Sequence, residues 1–392
     1  MPRRTGNSLG QTQFPRSRDK KYRHIASCIS TIVAMMWASF AAGGTIPPPA
    51  SGYGADGPFS VTVQTFASPG PFLPGSNVSV FLPDGATGPV PTIFFAHGFN
   101  GENPDLYRGI LNHLASRGYG VVFSPYTNIG SNQSLRYDQM FNGFEAALTN
   151  FSTQLDSTRV GFVGHSLGGG AIPSLTYRGV AESGWGSNGA FMFAMAPWYS
   201  YEITQNQLET FPDHVKMVME IYDDDRINDH RMAIDIFENI NISDSEKDFI
   251  TLFSDSNDGM TQTADHVVPN GGGPLGLLDF DALDFYGINR QIDALADYTF
   301  NDNLDGKNVA LGNGSPEQTF MGTWQDGTPF TPLSVTDDPV AQYAENEFVF
   351  HWSTPFLKTN PRFGIVPEPT SLALCVSGGA LLGIAWYRRE RR

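Results

Sequence analysis

Residues 159–171 read Arg-Val-Gly-Phe-Val-Gly-His-Ser-Leu-Gly-Gly-Gly-Ala (RVGFVGHSLGGGA). Val160 to Val163 are apolar or small without alternation, the mark of a strand buried on both faces. Gly164 and Gly168 then bracket Ser166, and Gly169, Gly170 and Ala171 open what reads as a helix. A serine on so tight a strand-to-helix turn has its hydroxyl pushed outward. Flanking glycines are needed there because larger side chains would strike neighbouring backbone. A hydroxyl is a weak nucleophile until a base takes its proton. Reading Ser166 as a nucleophile therefore demands a base, an acid and a pair of oxyanion donors elsewhere in the chain.

The oxyanion donors are two backbone N–H groups aimed where a carbonyl oxygen becomes negative. One is expected from Leu167, the residue after the serine. The other is expected from the loop after the apolar strand Thr92-Ile93-Phe94-Phe95-Ala96. That loop reads His97-Gly98-Phe99-Asn100-Gly101, and the Phe99 N–H is the candidate. In this architecture the acid and then the base follow the serine. The strand at 216–222 runs into Asp223-Asp224-Asp225-Arg226-Ile227, at the strand end where the crevice of a parallel sheet opens. Asp225 is preferred because Ile227, two places on, can anchor the loop; Asp223 and then Asp224 follow. The bland alternative is a solvated acidic turn, or a calcium-ligating set with Asp229. Of eight histidines, only His266 and His351 lie far enough beyond the acid. His266 sits in the loop after the strand at 249–253, where the base belongs. His351 sits in a strand-like stretch, Phe348 to Trp352, and reads as structural.

The remaining pattern alternates strand and helix. Strands are expected at 59–63, 78–82, 92–96, 120–124, 160–163, 189–196, 216–222 and 249–253. Asn103-Pro104 caps a helix whose Leu106, Ile110 and Leu114 form one apolar face. A second helix is expected over 135–148. Solid apolar strands separated by helices predict an α/β fold, a mostly parallel sheet covered by helices on both faces. Residues 42–57 are Pro/Gly-rich and read as a linker, and 58–300 as the main domain. Residues 301–365 are polar, with weak β signals such as Glu347 to Trp352, and read as a β-rich C-terminal extension packed on that domain.

The chain has 392 residues, of which 40% are hydrophobic, enough for one core of about 250–300 residues plus extensions. Its ends read as addresses. Seven Lys and Arg lie in residues 1–24, followed by an apolar run from Ile25 to Ala42 that ends Ser39-Phe40-Ala41. That is the layout of a secretory signal peptide covering 1–41. The other end reads Val366-Pro367-Glu368-Pro369, then an apolar run from Leu372 to Tyr387, then Arg388-Arg389-Glu390-Arg391-Arg392. The run reads as a short transmembrane helix with a basic cytoplasmic tail. Both cysteines, Cys28 and Cys375, lie in these terminal segments, so the portion between them has no disulfide and no thiolate metal site. The formal charge of the whole chain is −16, and without the two terminal segments it is about −24. Such a surface excludes nucleic-acid binding and repels anionic substrates.

These motifs carry a resemblance. Gly57 to Val61, the 96–101 loop, Gly164 to Gly170, Ala196-Pro197-Trp198, Asp225-Arg226-Ile227, and His266 with Pro269 are similar to the α/β-hydrolase superfamily. The likeness runs from about Gly57 to Phe300. It points to the dienelactone-hydrolase, lipase and cutinase-like group, and especially to bacterial cutinase-like polyester hydrolases. The segment 366–392 resembles a PEP-CTERM sorting signal. The resemblance implies a secreted serine carboxylic-ester hydrolase using a Ser166–His266–Asp225 triad, an acyl-enzyme and no cofactor or metal. Trp198 and Phe99 would flank the substrate, with His165 beside them. The implied partners are a lipid or polyester substrate and exosortase-type sorting machinery. Transient membrane association through the C-terminal helix, at the surface of a Gram-negative-type bacterium, is implied as well. The sequence departs from the group in four ways. His165 stands where polyester hydrolases commonly carry tryptophan, and the group's C-terminal disulfide is missing. Several extra residues precede His266, and the 301–350 stretch has no counterpart. A triacylglycerol lipase, a short-chain carboxylesterase, a serine peptidase and a non-catalytic surface or matrix protein are the rival readings.

Overall fold

Nine strands form one sheet in the order β1-β2-β4-β3-β5-β6-β7-β8-β11. The strands are β1 (Val61–Ala67), β2 (Asn77–Pro83), β3 (Val90–Ala96), β4 (Gly120–Phe123), β5 (Leu155–His165), β6 (Ala190–Met195), β7 (Val215–Tyr222) and β8 (Lys247–Leu252). A short hairpin, β9 (Asp255–Asn257) and β10 (Met260–Gln262), stands apart, and β11 (Ser334–Thr336) completes the sheet. The six strands from β4 to β8 in this order are parallel neighbours. β1, β2 and β11 pair antiparallel at the two edges. The fold is thus α/β with a mixed, mostly parallel sheet. The computed structural model describes residues 46–70, 76–128, 130–271, 280–353 and 360–364. The expected signal peptide at 1–41 and sorting segment at 366–392, with its apolar helix, lie outside the described residues. Among the described residues no helix is long and apolar enough to cross a membrane.

Alternation of side chains across the strands divides the core into two layers. Phe94, Phe162, Met192 and Met217 face one side, and Ile93, Phe95, Val163 and Phe193 face the other. The first layer is covered by α2 (Gln133–Asn150), α3 (Leu167–Tyr177) and α4 (Arg231–Asn239). The second is covered by α1 (Arg108–Ser116) and α5 (Arg290–Asn301). These positions are all fully or nearly fully buried. That is why Ile93 to Ala96 in β3, Val160 to Val163 in β5 and Ala190 to Met195 in β6 read as unbroken apolar runs rather than alternating ones. The predicted strands fall on observed ones within a few residues. The hairpin β9–β10 was not expected; it takes up the extra residues between β8 and His266. Residues 301–350 hold two short helices, Leu304–Ala310 and Pro316–Thr319, besides β11. Phe348 to Trp352, expected to be strand-like, forms only an isolated parallel bridge, Asn228 with Phe350.

Strand order sets where a site can form. β4 lies on one side of β3 and β5 on the other. The loops leaving β3 and β5 therefore diverge, and a crevice opens between their carboxyl ends. Ser166 follows β5 directly, and His97 to Gly101 follow β3.

Residues 53–57, part of the stretch expected to be a linker, are tied to the second helical layer. Gly54 N–H donates to Asp293 Oδ2 at 3.0 Å, and Gly57 N–H to Ser116 Oγ at 2.8 Å. His113, 2% exposed, sits between two carboxylates. Its Nδ1 donates to Asp56 Oδ1 at 3.1 Å and its Nε2 to Asp293 Oδ2 at 2.9 Å. Burial lowers its pKa, but the charges and hydrogen bonds of Asp293 and Asp56 outweigh it and raise the pKa to about 9. The folded value exceeds the ordinary 6.5. The stabilisation is therefore complete below pH 6.5 and lost as pH rises through about 9. At about 1.4 kcal/mol per tenfold change in proton affinity, it amounts to roughly 3–4 kcal/mol. The unfolding free energy from urea titration should fall by about 3 kcal/mol between pH 6.5 and 9.5, and the midpoint with it. His113→Gln should lower the midpoint at pH 6.5 and flatten this dependence.

Candidate active site

Ser166 occupies a backbone conformation that L-residues rarely adopt, with φ 55° and ψ −116°. Neighbouring backbone locks it there. Ser166 N–H donates to Met195 O at 3.0 Å, while Gly170 N–H and Trp198 N–H donate to Ser166 O at 2.9 and 2.8 Å. Two glycines allow α3 to descend onto the strand ends. A Cβ on Gly168 would lie 2.0 Å from Ala96 O, and one on Gly170 would lie 2.4 Å from Trp198 O. The serine hydroxyl is left pointing into the crevice at the sheet's switch point.

One line of hydrogen bonds meets this hydroxyl. Ser166 Oγ–H donates to His266 Nε2 at 2.9 Å, and His266 Nδ1–H donates to Asp225 Oδ2 at 2.7 Å. The acid comes from the loop after β7 and the imidazole from the loop after β10. Asp225 is the member of its triplet that reaches the imidazole. Asp223 accepts from Tyr343 Oη at 2.6 Å and Asp224 from Ser254 Oγ at 2.5 Å. Asp229 accepts from the Arg231 and Trp352 N–H groups at 3.0 Å each. Among the described residues, no cluster of three His, Cys, Asp or Glu side chains could hold a metal ion.

The Asp225 carboxylate is buried yet ionised. Burial alone would raise its pKa, but His266, the charge of His230 and the Ile227 N–H hold it below the ordinary range. Its Oδ1 accepts from Ile227 N–H at 2.6 Å and Asn228 N–H at 3.3 Å. The acid loop is itself held by the C-terminal part of the chain. Val349 and Phe350 N–H donate to the carbonyls of Arg226 and Ile227 at 2.9 and 2.8 Å, and Asp229 N–H donates to Phe350 O at 3.0 Å. Arg362 anchors this segment through a buried ion pair with Asp235. His351 contributes its carbonyl to this packing, accepting from Tyr199 Oη, and lies away from the serine line.

The loop after β3 stands against the serine. A Cβ on Gly98 would lie 3.2 Å from Ser166 Cβ. His97 stacks on Tyr126, with centroids 4.2 Å apart. Burial depresses its pKa to about 4, so the ring is neutral. Its Nδ1–H donates to Gly98 O at 2.7 Å, and Gly101 N–H donates to the same oxygen at 3.0 Å. A trans peptide points its N–H opposite its carbonyl. Fixing Gly98 O therefore aims the Phe99 N–H the other way. Among the described residues that N–H meets no acceptor, and Leu167 N–H is the first orphan donor of α3.

The residues expected beside a substrate divide. The Phe99 side chain is 43% exposed, with the Arg136 guanidinium 5.3 Å from its ring centre. Trp198 is half-buried, edge-on to Phe350 at 5.6 Å. His165, however, is 1% exposed, and both of its ring nitrogens are bonded to protein. It lies under the site rather than beside a substrate, because residue 165 still belongs to β5 and points into the core. Sequence reasoning missed Tyr107, Asn228 and the 349–352 segment. None carries a local signal of its part in the site: Tyr107 reads as one more apolar position before α1, and 349–352 as a strand-like stretch. In comparisons with known proteins, no family description and no curated protein matches this chain.

The glycine packing makes a direct test. Gly168→Ala should cost at least about 3 kcal/mol, since its methyl meets backbone that cannot yield. Urea unfolding measures the loss, and fluorophosphonate labelling of Ser166 should disappear in parallel.

Proposed function

We propose that the protein is a serine carboxylic-ester hydrolase of α/β-hydrolase type. One observation carries the reading: Ser166 Oγ, His266 and Asp225 form a continuous hydrogen-bonded line on a strained turn at the switch point of the sheet. His266 Nε2 takes the hydroxyl proton as Ser166 Oγ attacks an ester carbonyl. Asp225 holds the tautomer with Nδ1–H and stabilises the imidazolium that forms. The developing oxyanion accepts from the N–H groups of Phe99 and Leu167, which have no partner among the described residues. His266 returns the proton to the leaving alcohol, and the acyl-enzyme forms. Water then enters, His266 removes its proton, and the acid is released by the reverse sequence.

The substrate class follows from what surrounds the serine. Phe99 presents an aromatic face beside the oxyanion loop, and Trp198 lies next to the serine backbone. With a net charge of −16, these features favour a neutral, apolar ester such as a polyester or lipid over an anionic one. The likeness of the chain ends to a signal peptide and a PEP-CTERM segment supports export to the surface of a Gram-negative-type bacterium.

Ser166→Ala should abolish hydrolysis of p-nitrophenyl butyrate while leaving the circular dichroism spectrum unchanged. Asp225→Asn should lower kcat by about 10³–10⁴-fold, because the imidazole loses its tautomer. Turnover retained by Ser166→Ala would overturn the assignment of the nucleophile. Comparing emulsified triglyceride, short esters and polyester film separates lipase, esterase and polyesterase.

A further inference from the structure

Beneath the serine line lies a second, separate chain of hydrogen bonds. Gly98 N–H donates to Tyr107 Oη at 2.9 Å. Tyr107 Oη and His165 Nδ1 are 2.9 Å apart, and His165 Nε2 is 2.8 Å from the His266 carbonyl oxygen. Tyr107 and His165 are each 1% exposed.

Chemistry forces the direction of every bond. A backbone carbonyl only accepts, so His165 Nε2 must carry a proton. Burial and the neighbouring His266 depress the His165 pKa to about 3, so the ring is neutral and holds only that one proton. Nδ1 must then accept, and the Tyr107 hydroxyl must donate to it. Burial raises the phenol to about 12, which keeps that proton in place. The Tyr107 oxygen in turn accepts from Gly98 N–H.

The ends of this chain matter more than its middle. One end is Gly98, whose peptide with Phe99 supplies the proposed oxyanion donor. The other is the main chain of His266, the proposed base. His165 itself immediately precedes Ser166. The two loops come from opposite sides of the crevice, one after β3 and one after β10.

We infer that Tyr107 and His165 are positioning residues: a buried phenol–imidazole tie that sets the oxyanion loop and the backbone of the base in fixed register about Ser166. This rests on the reading of Ser166 and His266 as the acyl-transfer pair. The tie uses up Gly98 N–H, leaving Phe99 as the free donor of its loop. It also accounts for histidine at position 165. A side chain there must donate at one end and accept at the other, and tryptophan has only a donor.

Tyr107→Phe removes one oxygen and leaves Gly98 N–H and His165 Nδ1 unpaired. On p-nitrophenyl butyrate, kcat should fall about 10–100-fold with KM within about twofold, because the displaced groups act on the transition state. Fluorophosphonate labelling of Ser166 should slow by a similar factor. His165→Gln, which keeps a donor and an acceptor, should retain more activity than His165→Leu. Ring ¹⁵N shifts of His165 in the unmodified protein should report the Nε2–H tautomer. An Nδ1–H tautomer would sink the proposal. So would a folded Tyr107→Phe with unchanged kcat, or equal activity in the Gln and Leu variants at position 165. If the unmodified protein hydrolyses no ester, the acyl-transfer reading fails by itself, and the ¹⁵N measurement still decides whether the tie exists.

Discussion

The structure depends on one bend in the chain. At Ser166 the backbone leaves β5 and enters α3 through a conformation costing about 1–3 kcal/mol. Three hydrogen bonds on the Ser166 peptide groups hold it there. Glycines at 168 and 170 let the helix close upon the carbonyls of Ala96 and Trp198. The strain persists because β5 lies between β3 and β6, with Val160 to His165 buried, and has nowhere to relax. The position of the hydroxyl is thus a property of the sheet, not of the loop.

Two histidines near that bend show how environment assigns roles. Their rings are only 4.9 Å apart. His165 is enclosed, neutral and bonded to protein at both nitrogens, so it has no capacity left for a proton. His266 faces a buried carboxylate with Nδ1 and a hydroxyl with Nε2, the contacts that the proposed proton transfer from Oγ requires. The same side chain is a strut in one place and, in the proposed reaction, an acid–base group in the other. What differs is the partner at each nitrogen.

The acid is held from two sides. Ile227 and Asn228 give their N–H groups to Asp225. The carbonyl of Ile227 in turn accepts from Phe350, more than a hundred residues on. The C-terminal segment therefore shares in fixing the carboxylate, and through Phe350 it also meets the edge of Trp198. Residues 343–352 form no strand, yet Val349 and Phe350 hydrogen-bond the loop that carries Asp225 and so clamp it.

Local chemistry made much of this readable in advance. Apolar runs gave away the parallel strands, because a strand buried on both faces favours apolar side chains along its whole length. The glycine spacing about Ser166 marked the bend, since only glycine tolerates backbone at that range. Chain order then narrowed the base to His266 or His351, with His266 preferred for its place in a loop after a strand, and the acid to three adjacent aspartates. Among those three the sequence favoured Asp225, and in the fold Asp223 and Asp224 turn to Tyr343 and Ser254 while Asp225 meets His266. The tie through Tyr107 and His165, the clamp at 349–352 and the inward burial of His165 were likewise decided by tertiary structure. Each joins residues dozens to hundreds of positions apart, and a hydrogen bond between distant segments leaves no periodicity or spacing in the chain that makes it.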